Sequence, residues 1–504
     1  MTTPLAAGAG LPPERDGGFP AELLPACIRV PGHDALLERL GDPRVLAVTT
    51  GQQPALFAGP MYTIHKALSA AALAHELERR WARPVVPLFW IAGDDHDFAE
   101  ANTATWISRD GSVEHGSLAP RDPAAPMRPL SREPLGPDIE PLTGRLDASL
   151  LESDFHAATM DWVRRHYRSG VTFSTAFGGA LAEILASFGV VCVDSTHPAF
   201  KRAAAPYLIR ALAAAEPLEA ALVQQAETLI AAGRDPGVAV GEGATLVMIE
   251  GSAGRDRLLR SGGEFVTRRG QERFTLGALE AVAEREPERL SANVLLRPAI
   301  ESALLPTVAY AAGPGELRYL ALTPPVYERL GVTRQLPVPR WSGITVAAPV
   351  DRALEKFGLQ LDELAQPVSV LEAKVVRGRL PGEAETDLAA LRSLLVERYE
   401  AVGVTAARID PTLVRTVSGR RERALAGVDR IEQKLVTHLR RRMAIELRQL
   451  SRAHDAIFPD GAPQERVLVA PSLLAAHGTG LLEALLSAAS NWYRGALESG
   501  AAPA

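Results

Sequence analysis

Apolar and polar positions in the first hundred residues alternate between two periods. Val45-Leu46-Ala47-Val48-Thr49-Thr50 is a short β-branched run, and Val85 to Ala92 is a second buried run. Between them, Tyr62 to Trp81 carries Ala67, Leu68, Ala71, Ala72 and His75 at helical spacing. Strand, helix and strand in so short a stretch predict a βαβ unit, and hence a parallel sheet with a right-handed crossover. Further on, Phe177–Phe188 reads as a helix, Val190–Asp194 as a strand, 203–232 as an alanine-rich helical stretch and Thr245–Ile249 as a strand. The expected class is α/β, with a parallel-sheet core over 1–380. Two inserted segments interrupt it: 109–150, rich in proline, glycine and charge, and 235–290, where Gly262, Gly263 and Gly270 punctuate a hairpin-like stretch.

The last third has another rhythm. Val428, Ile431, Leu435, Leu439, Met443, Leu447 and Leu450 recur every three or four residues along an otherwise charged segment. With Leu388, Leu391, Leu395 and Tyr399 they predict a helical hairpin over 381–456, followed by a segment, 457–504, that packs back on the core. The hairpin's apolar stripe needs cover, either from a second copy of the chain, making a homodimer, or from the chain's own core.

Three segments concentrate chemistry. The first, Thr49 to Lys66, begins at the carboxyl end of a strand, where ligands bind in parallel sheets, and ends in the first turn of a helix. Gly51, Gln52, Gln53, Gly59 and Pro60 form its loop, and His65 and Lys66 add an imidazole and an ammonium. Such a loop suits an anion or nucleotide; the plain alternative is a tight strand-to-helix connection with Lys66 solvated. The second, Asp94-Asp95-His96-Asp97, follows the next strand. Three carboxylates and an imidazole fold poorly unless solvated or paired with a cation, so they would hold Mg²⁺ (Asp94 and Asp97), orient an ammonium, supply a base, or cap a helix. In the third, Asn293 and Arg297 suit carboxylate or phosphate recognition, unless Arg297 is a structural ion pair; Gly313-Pro314-Gly315-Glu316 turns into a helix. Asn491-Trp492-Tyr493 near the end could stack a nucleobase or simply pack on the core.

Composition narrows the field. A chain of 504 residues needs more than one structural unit, and a net charge of −6 gives no support for a nucleic-acid or anionic-membrane surface. No apolar run approaches the length of a membrane span, and Met1–Gly18 lacks the pattern of a secretory signal. Two cysteines, Cys27 and Cys192, make no disulfide framework; in apolar surroundings they read as core residues of a cytoplasmic protein. Only five of the 54 basic residues are lysine, Lys66 and Lys201 among them. No Gly-Lys dipeptide, Gly-x-Gly-x-x-Gly after a strand, Gly-x-Ser-x-Gly or cysteine-rich zinc pattern is present.

Taken together, Gly51-Gln52-Gln53 to Gly59-Pro60 to Lys66, Phe89-Trp90-Ile91-Ala92-Gly93-Asp94-Asp95-His96-Asp97, Asn293 to Pro298 with Leu305-Pro306-Thr307, Gly313 to Glu316 with Tyr319, Pro339-Arg340 and Pro463-Gln464-Glu465-Arg466 resemble the bacillithiol biosynthesis cysteine-adding family, of BshC type. Family members commonly carry Glu-Asp-His-Asp where this chain has Asp94 to Asp97, and 241–275 matches weakly. The resemblance implies a Rossmann-like core, inserted connecting segments, a coiled-coil dimerisation arm, and a ligase that adds L-cysteine to the amine of glucosaminyl malate. Activation of a free carboxylate calls for ATP with Mg²⁺. In that picture Gly51 to Pro60 bind the nucleotide, with Asn491 and Trp492 as a further nucleotide contact. His65, Lys66, Asp95, His96 and Asp97 carry the chemistry, His96 as proton acceptor. Asp94, Asn293, Arg297, Gly313, Gly315, Glu316 and Tyr319 hold substrate. The rival reading is a non-catalytic dimeric binder of a nucleotide or metabolite.

Overall fold

The computed structural model describes residues 15–499. The reading of Met1–Gly18 therefore lies outside the described residues as far as residue 14, and so does the end of the C-terminal segment, 500–504. The chain divides into two units, one of residues up to Gly343 together with Glu465 onwards, the other Ile344–Gln464.

A five-stranded, fully parallel sheet organises the first unit. Its strands are β1 (Leu46–Gln52), β2 (Val85–Ile91), β3 (Val191–Asp194), β4 (Thr307–Ala312) and β5 (Leu336–Pro339), in the spatial order β5-β4-β1-β2-β3. The chain winds from β1 outwards to β3, then returns to place β4 on the other side of β1. This is the Rossmann order, and its reversal leaves a crevice at the carboxyl ends of β1 and β4. Helix α1 (Tyr62–Trp81) makes the β1–β2 crossover, as its period predicts. Both faces of the sheet are covered, so its three central strands are buried almost throughout. Leu46, Val48, Leu73, Leu77 and Val308 pack with Tyr493 of the C-terminal helix on one face. On the other, Leu88, Trp90 and Val191 meet Phe200 and Leu208.

The structure redraws several sequence boundaries. The first insertion starts earlier, with an antiparallel pair, Thr103–Ile107 and Val113–Ser117, ahead of the helix Ile139–Ser149. The helical stretch expected at 203–232 consists of two helices, Pro198–Ala213 and Ala215–Ala231, because Ala214 leaves helical geometry (φ −98, ψ 17). Ala244–Gly251, expected among the α/β elements, lies in a separate antiparallel sheet with Gly254–Ser261, Glu264–Thr267, Arg273–Phe274 and Leu290–Ala292. Gly262 and Gly263, both at positive φ, make one of its two-residue hairpin turns.

The helical unit begins at Ile344 rather than 381. Ahead of the hairpin, the helices Ala348–Phe357 and Val368–Arg377 bury Val350, Leu371 and Val376 against Met443, Leu447 and Leu450, which fixes them in this unit. The hairpin itself pairs Gly382–Ile409 with Leu413–Arg442, and the second strand of the stripe is interrupted at Met443 before Ala444–Ile457. Its lower apolar residues are thus covered internally, while Leu394, Val402, Ile431 and Leu435 remain exposed. The return to the first unit comes at Glu465, a few residues later than read from sequence.

Gly51 faces Trp90 across β1 and β2, and a Cβ there would lie 2.7 Å from the Trp90 carbonyl oxygen. Gly51→Ala is expected to force these strands apart at the sheet's functional edge and to cost about 2 kcal/mol. An unaltered urea midpoint for this variant would contradict the packing described.

Candidate active site

A cavity of about 510 Å³ opens at the crevice where the strand order reverses. Gly51 and Gln52 of β1, Asp94, Asp95 and His96 after β2, and Gly313 and Glu316 after β4 line it. Lys201, Arg255, Arg257, Ser291 and Asn293, from the long β3–β4 connection, complete it.

Lys66 is its best-anchored charge. It is 2% exposed, donates to the Gly51 carbonyl and to Gln52 Oε1 (3.3 Å), and pairs with Glu316 at 2.8 Å. Gln52 in turn donates to the Tyr62 hydroxyl at 3.0 Å. Glu316 also accepts from the Gly313 N–H (2.8 Å) and the Tyr310 hydroxyl (2.7 Å). Tyr310 accepts from Arg297 (3.2 Å), which pairs with Glu301 at 2.6 Å. Burial lowers the proton affinity of Lys66. Burial works against ionisation of Glu316, yet Lys66 and the Gly313 N–H hold its carboxyl below the usual range. The result is a buried chain of alternating charge, in which the three ammonium donors of Lys66 all have protein acceptors.

The acidic segment is divided among different tasks. Asp94 accepts from Lys201 at 2.5 Å, and Lys201, 4% exposed, also reaches the Leu290 carbonyl (3.0 Å). Asp95 accepts from the Asp97 N–H (2.9 Å), and Asp97 caps the short helix Phe98–Ala101 through the Glu100 N–H (3.0 Å). His96 Nδ1 lies 3.2 Å from Arg255 Nη1. Burial first, then Arg255, depress the proton affinity of His96, leaving it neutral at physiological pH. Asp94 and Asp97 do not fit a shared Mg²⁺ site: one is tied to a lysine and the other turned to a helix N-terminus. Among the described residues no three His, Cys, Asp or Glu side chains gather as a metal site.

Several predicted residues lie elsewhere. Tyr62 and Lys66, one helical turn apart, face the cavity, whereas His65 projects from another side of α1. Its Nδ1 is 2.6 Å from Glu465, which also pairs with Arg340 at 2.5 Å. The neighbouring Trp341 N–H donates to Ser69 at 2.9 Å. Burial opposes ionisation of Glu465, but His65 and Arg340 bring its carboxyl down to about 2. Gly59 and Pro60 belong to a closed turn, not an open cradle. Leu56, Phe57 and Ala58 are fully buried, the Tyr167 hydroxyl accepts from the Ala58 N–H (2.6 Å), and Pro60 bridges to Val469. Asn491 and Trp492 lie on the C-terminal helix, the first exposed and the second half-buried beside Tyr493, outside the cavity lining. Gln53, Gly315 and Tyr319 do line the cavity. So do Asn293 and Arg297, but Asn293 Oδ1 is occupied in capping the Leu295 and Leu296 N–H groups, and Arg297 is already paired.

Sequence reasoning gave no role to Tyr62, Lys201, Arg255, Arg257, Arg340 or Arg466, all of which line the cavity. Lys201 stood out only by the scarcity of lysine. Arg340 and Arg466 sat in matched motifs without a task, and Arg255 and Arg257 in the weakly matching 241–275.

Residues 28–341 match the family model described as Bacillithiol biosynthesis BshC, N-terminal Rossmann-like domain, and 344–492 match that of the BshC C-terminal coiled-coil domain. The chain belongs to the BshC family. Relatives named "Putative cysteine ligase BshC" include one from Koribacter versatilis, 31% identical over 447 residues, covering 88% of this chain and 82% of that protein. Another from Solibacter usitatus is 31% identical over 94% of this chain and 88% of its own. One from Bacillus cereus is 28% identical over 86% and 80%. No single helix among the described residues is long and apolar enough to cross a membrane.

Glu465 yields a pH-dependent expectation. A carboxyl whose folded value is depressed to about 2 contributes stability above its unfolded value, near 4.3, and loses it as pH falls towards the folded one. Glu465→Gln should therefore destabilise the protein by about 3 kcal/mol at pH 7, with the gap from wild type closing towards pH 2. A gap of constant size in unfolding measurements across that range would exclude this role.

Proposed function

We propose that this chain is a cysteine ligase of bacillithiol biosynthesis, forming an amide between the carboxyl group of L-cysteine and the amine of glucosaminyl malate. The observation that carries this reading is the charge of the cavity. Seven cations line it; Lys66, Lys201, Arg297 and Arg340 are paired with Glu316, Asp94, Glu301 and Glu465, which leaves Arg255, Arg257 and Arg466 with no ion-pair partner among the described residues, against Asp95. Such a surplus suits a ligand with several anionic groups, as the malyl dicarboxylate is. Asp95, in the lining and without an ion-pair partner among the described residues, suits the amine. ATP, when bound, would supply the activation that an unreactive carboxylate needs, and the cationic wall is compatible with its phosphates. Family membership and the names of the relatives support the same assignment. The two buried free thiols, Cys27 pushed up to about 12 by burial, suit a reducing compartment, the cytoplasm.

We take the partner of the helical arm to be a second copy of the chain, since Leu394 and Val402 on one helix of the hairpin and Ile431 and Leu435 on the other are left exposed. Double substitution Ile431→Glu, Leu435→Glu is expected to leave monomers by sedimentation velocity. An unchanged sedimentation coefficient would remove the dimer from the reading.

Purified protein incubated with ATP, Mg²⁺, cysteine and glucosaminyl malate should release a thiol of the amide's mass. Asp95→Asn should raise KM about tenfold or more, as expected for loss of a charge-assisted hydrogen bond. Absence of the product with every nucleotide tried would end the ligase assignment.

A further inference from the structure

We propose that Arg255 and His96 form one anion receptor in the cavity, in which Arg255 fixes the imidazole proton on Nε2 so that His96 donates a hydrogen bond to an anionic oxygen of the ligand instead of accepting a proton. The inference deepens the proposed function and rests on it only for the ligand's identity.

Three observations carry it. First, Arg255 is 8% exposed and its guanidinium has only neutral acceptors: Ser291 Oγ (2.9 Å), the Ala292 carbonyl (2.8 Å) and His96 Nδ1 (3.2 Å). Asp94 and Asp95 act on it only from beyond ion-pair distance, so the buried cation is costly and an anion from outside lowers that cost. Second, the acids around it are committed to other groups. Asp94 is paired with Lys201. Asp256, on the same strand, is paired with Arg269 and accepts from the Arg257, Arg269 and Gly270 N–H groups. Asp95 accepts from the Asp97 N–H, and no carboxylate among the described residues is within ion-pair distance of Arg255. Third, a guanidinium has five N–H groups and no lone pair, so the Arg255–His96 bond makes Nδ1 the acceptor. A neutral imidazole then carries its proton on Nε2. Arg255 keeps two N–H groups beyond its three bonds, and both side chains line the cavity. Arg255, Arg269, Asp95 and Asp97 are the charged groups acting on His96, and burial together with the two arginines outweighs the two carboxylates to keep the ring neutral. The chemistry recognised is a carboxylate or phosphate oxygen, from the malyl group or from a nucleotide.

The test uses the full chain with two probes, L-malate and inorganic phosphate, followed by calorimetry, together with ¹⁵N-histidine NMR of the ring nitrogens. The spectrum should show His96 as the Nε2–H tautomer. Arg255→Met should weaken binding about tenfold or more; Arg255→Lys, which keeps the charge but not the three-bond pattern, should also weaken it, and serves if the first variant does not fold. His96→Gln, a donor without basicity, should bind within about threefold of wild type, while His96→Leu loses about tenfold. Preference for malate assigns the receptor to the malyl carboxylate, and preference for phosphate to a nucleotide. An Nδ1–H tautomer, failure of both probes to bind at millimolar concentration, wild-type affinity in both Arg255 variants, or His96→Gln as weak as His96→Leu would each overturn the proposal. A protein that binds malate through Arg255 yet forms no amide would keep this inference and lose the ligase reading.

Discussion

The buried ammonium of Lys66 is the constraint from which the site follows. A cation with 2% exposure survives only where carboxylate and carbonyl oxygens enclose it, and those oxygens come from the end of β1 and the helix after β4. One side chain thus ties α1 to both strands that flank the reversal in the sheet. Its partner Glu316 extends the tie through Tyr310 to Arg297 and Glu301. Because Lys66 is paired with Glu316 and Arg297 with Glu301, this part of the wall has no charge left to offer. Ligand recognition is left to the groups facing it, after β2 and on the connection between β3 and β4.

That connection explains why the cavity needs the inserted sheet. The Rossmann order provides a crevice but few cations at its rim; Gly254–Ser261 brings Arg255 and Arg257 to it, and Leu290–Ala292 brings the Ser291 hydroxyl and Ala292 carbonyl that hold Arg255. The antiparallel sheet therefore forms a second wall of the site, opposite the strand ends.

Much of this was legible in the chain. The period change from Val45 through Ala92 gave the βαβ unit, and Gly51 at the end of one strand, Lys66 in the first turn of the helix that follows and Asp94 just past the next strand gave the right edge. The side on which His65 points was not legible, because adjacent helical residues differ by about 100° and only the packed sheet says which side is the cavity. Gly59 looked like part of an open loop since sequence does not show that Tyr167, more than a hundred positions away, closes it. Arg255 was invisible for a related reason: its partners Ser291, Ala292 and His96 are scattered, and an arginine on a polar-looking strand carries no local mark of burial. The break at Met443 escaped because the apolar spacing runs through it unchanged.

The point of departure and the point of return of the helical unit have a consequence for biosynthesis. Arg340 lies just before the chain leaves the first unit and Glu465 is the first residue after it comes back, and these two are paired at 2.5 Å. As the polypeptide emerges from the ribosome, the carboxylate that locks Arg340 and His65 is made only after the whole of Ile344–Gln464 has been translated. The crevice must wait, with a cation and an imidazole exposed, until the arm is complete. Closure of so long a loop grows in entropic cost only logarithmically with length, so a longer or shorter arm would add little to the cost of bringing Arg340 and Glu465 together.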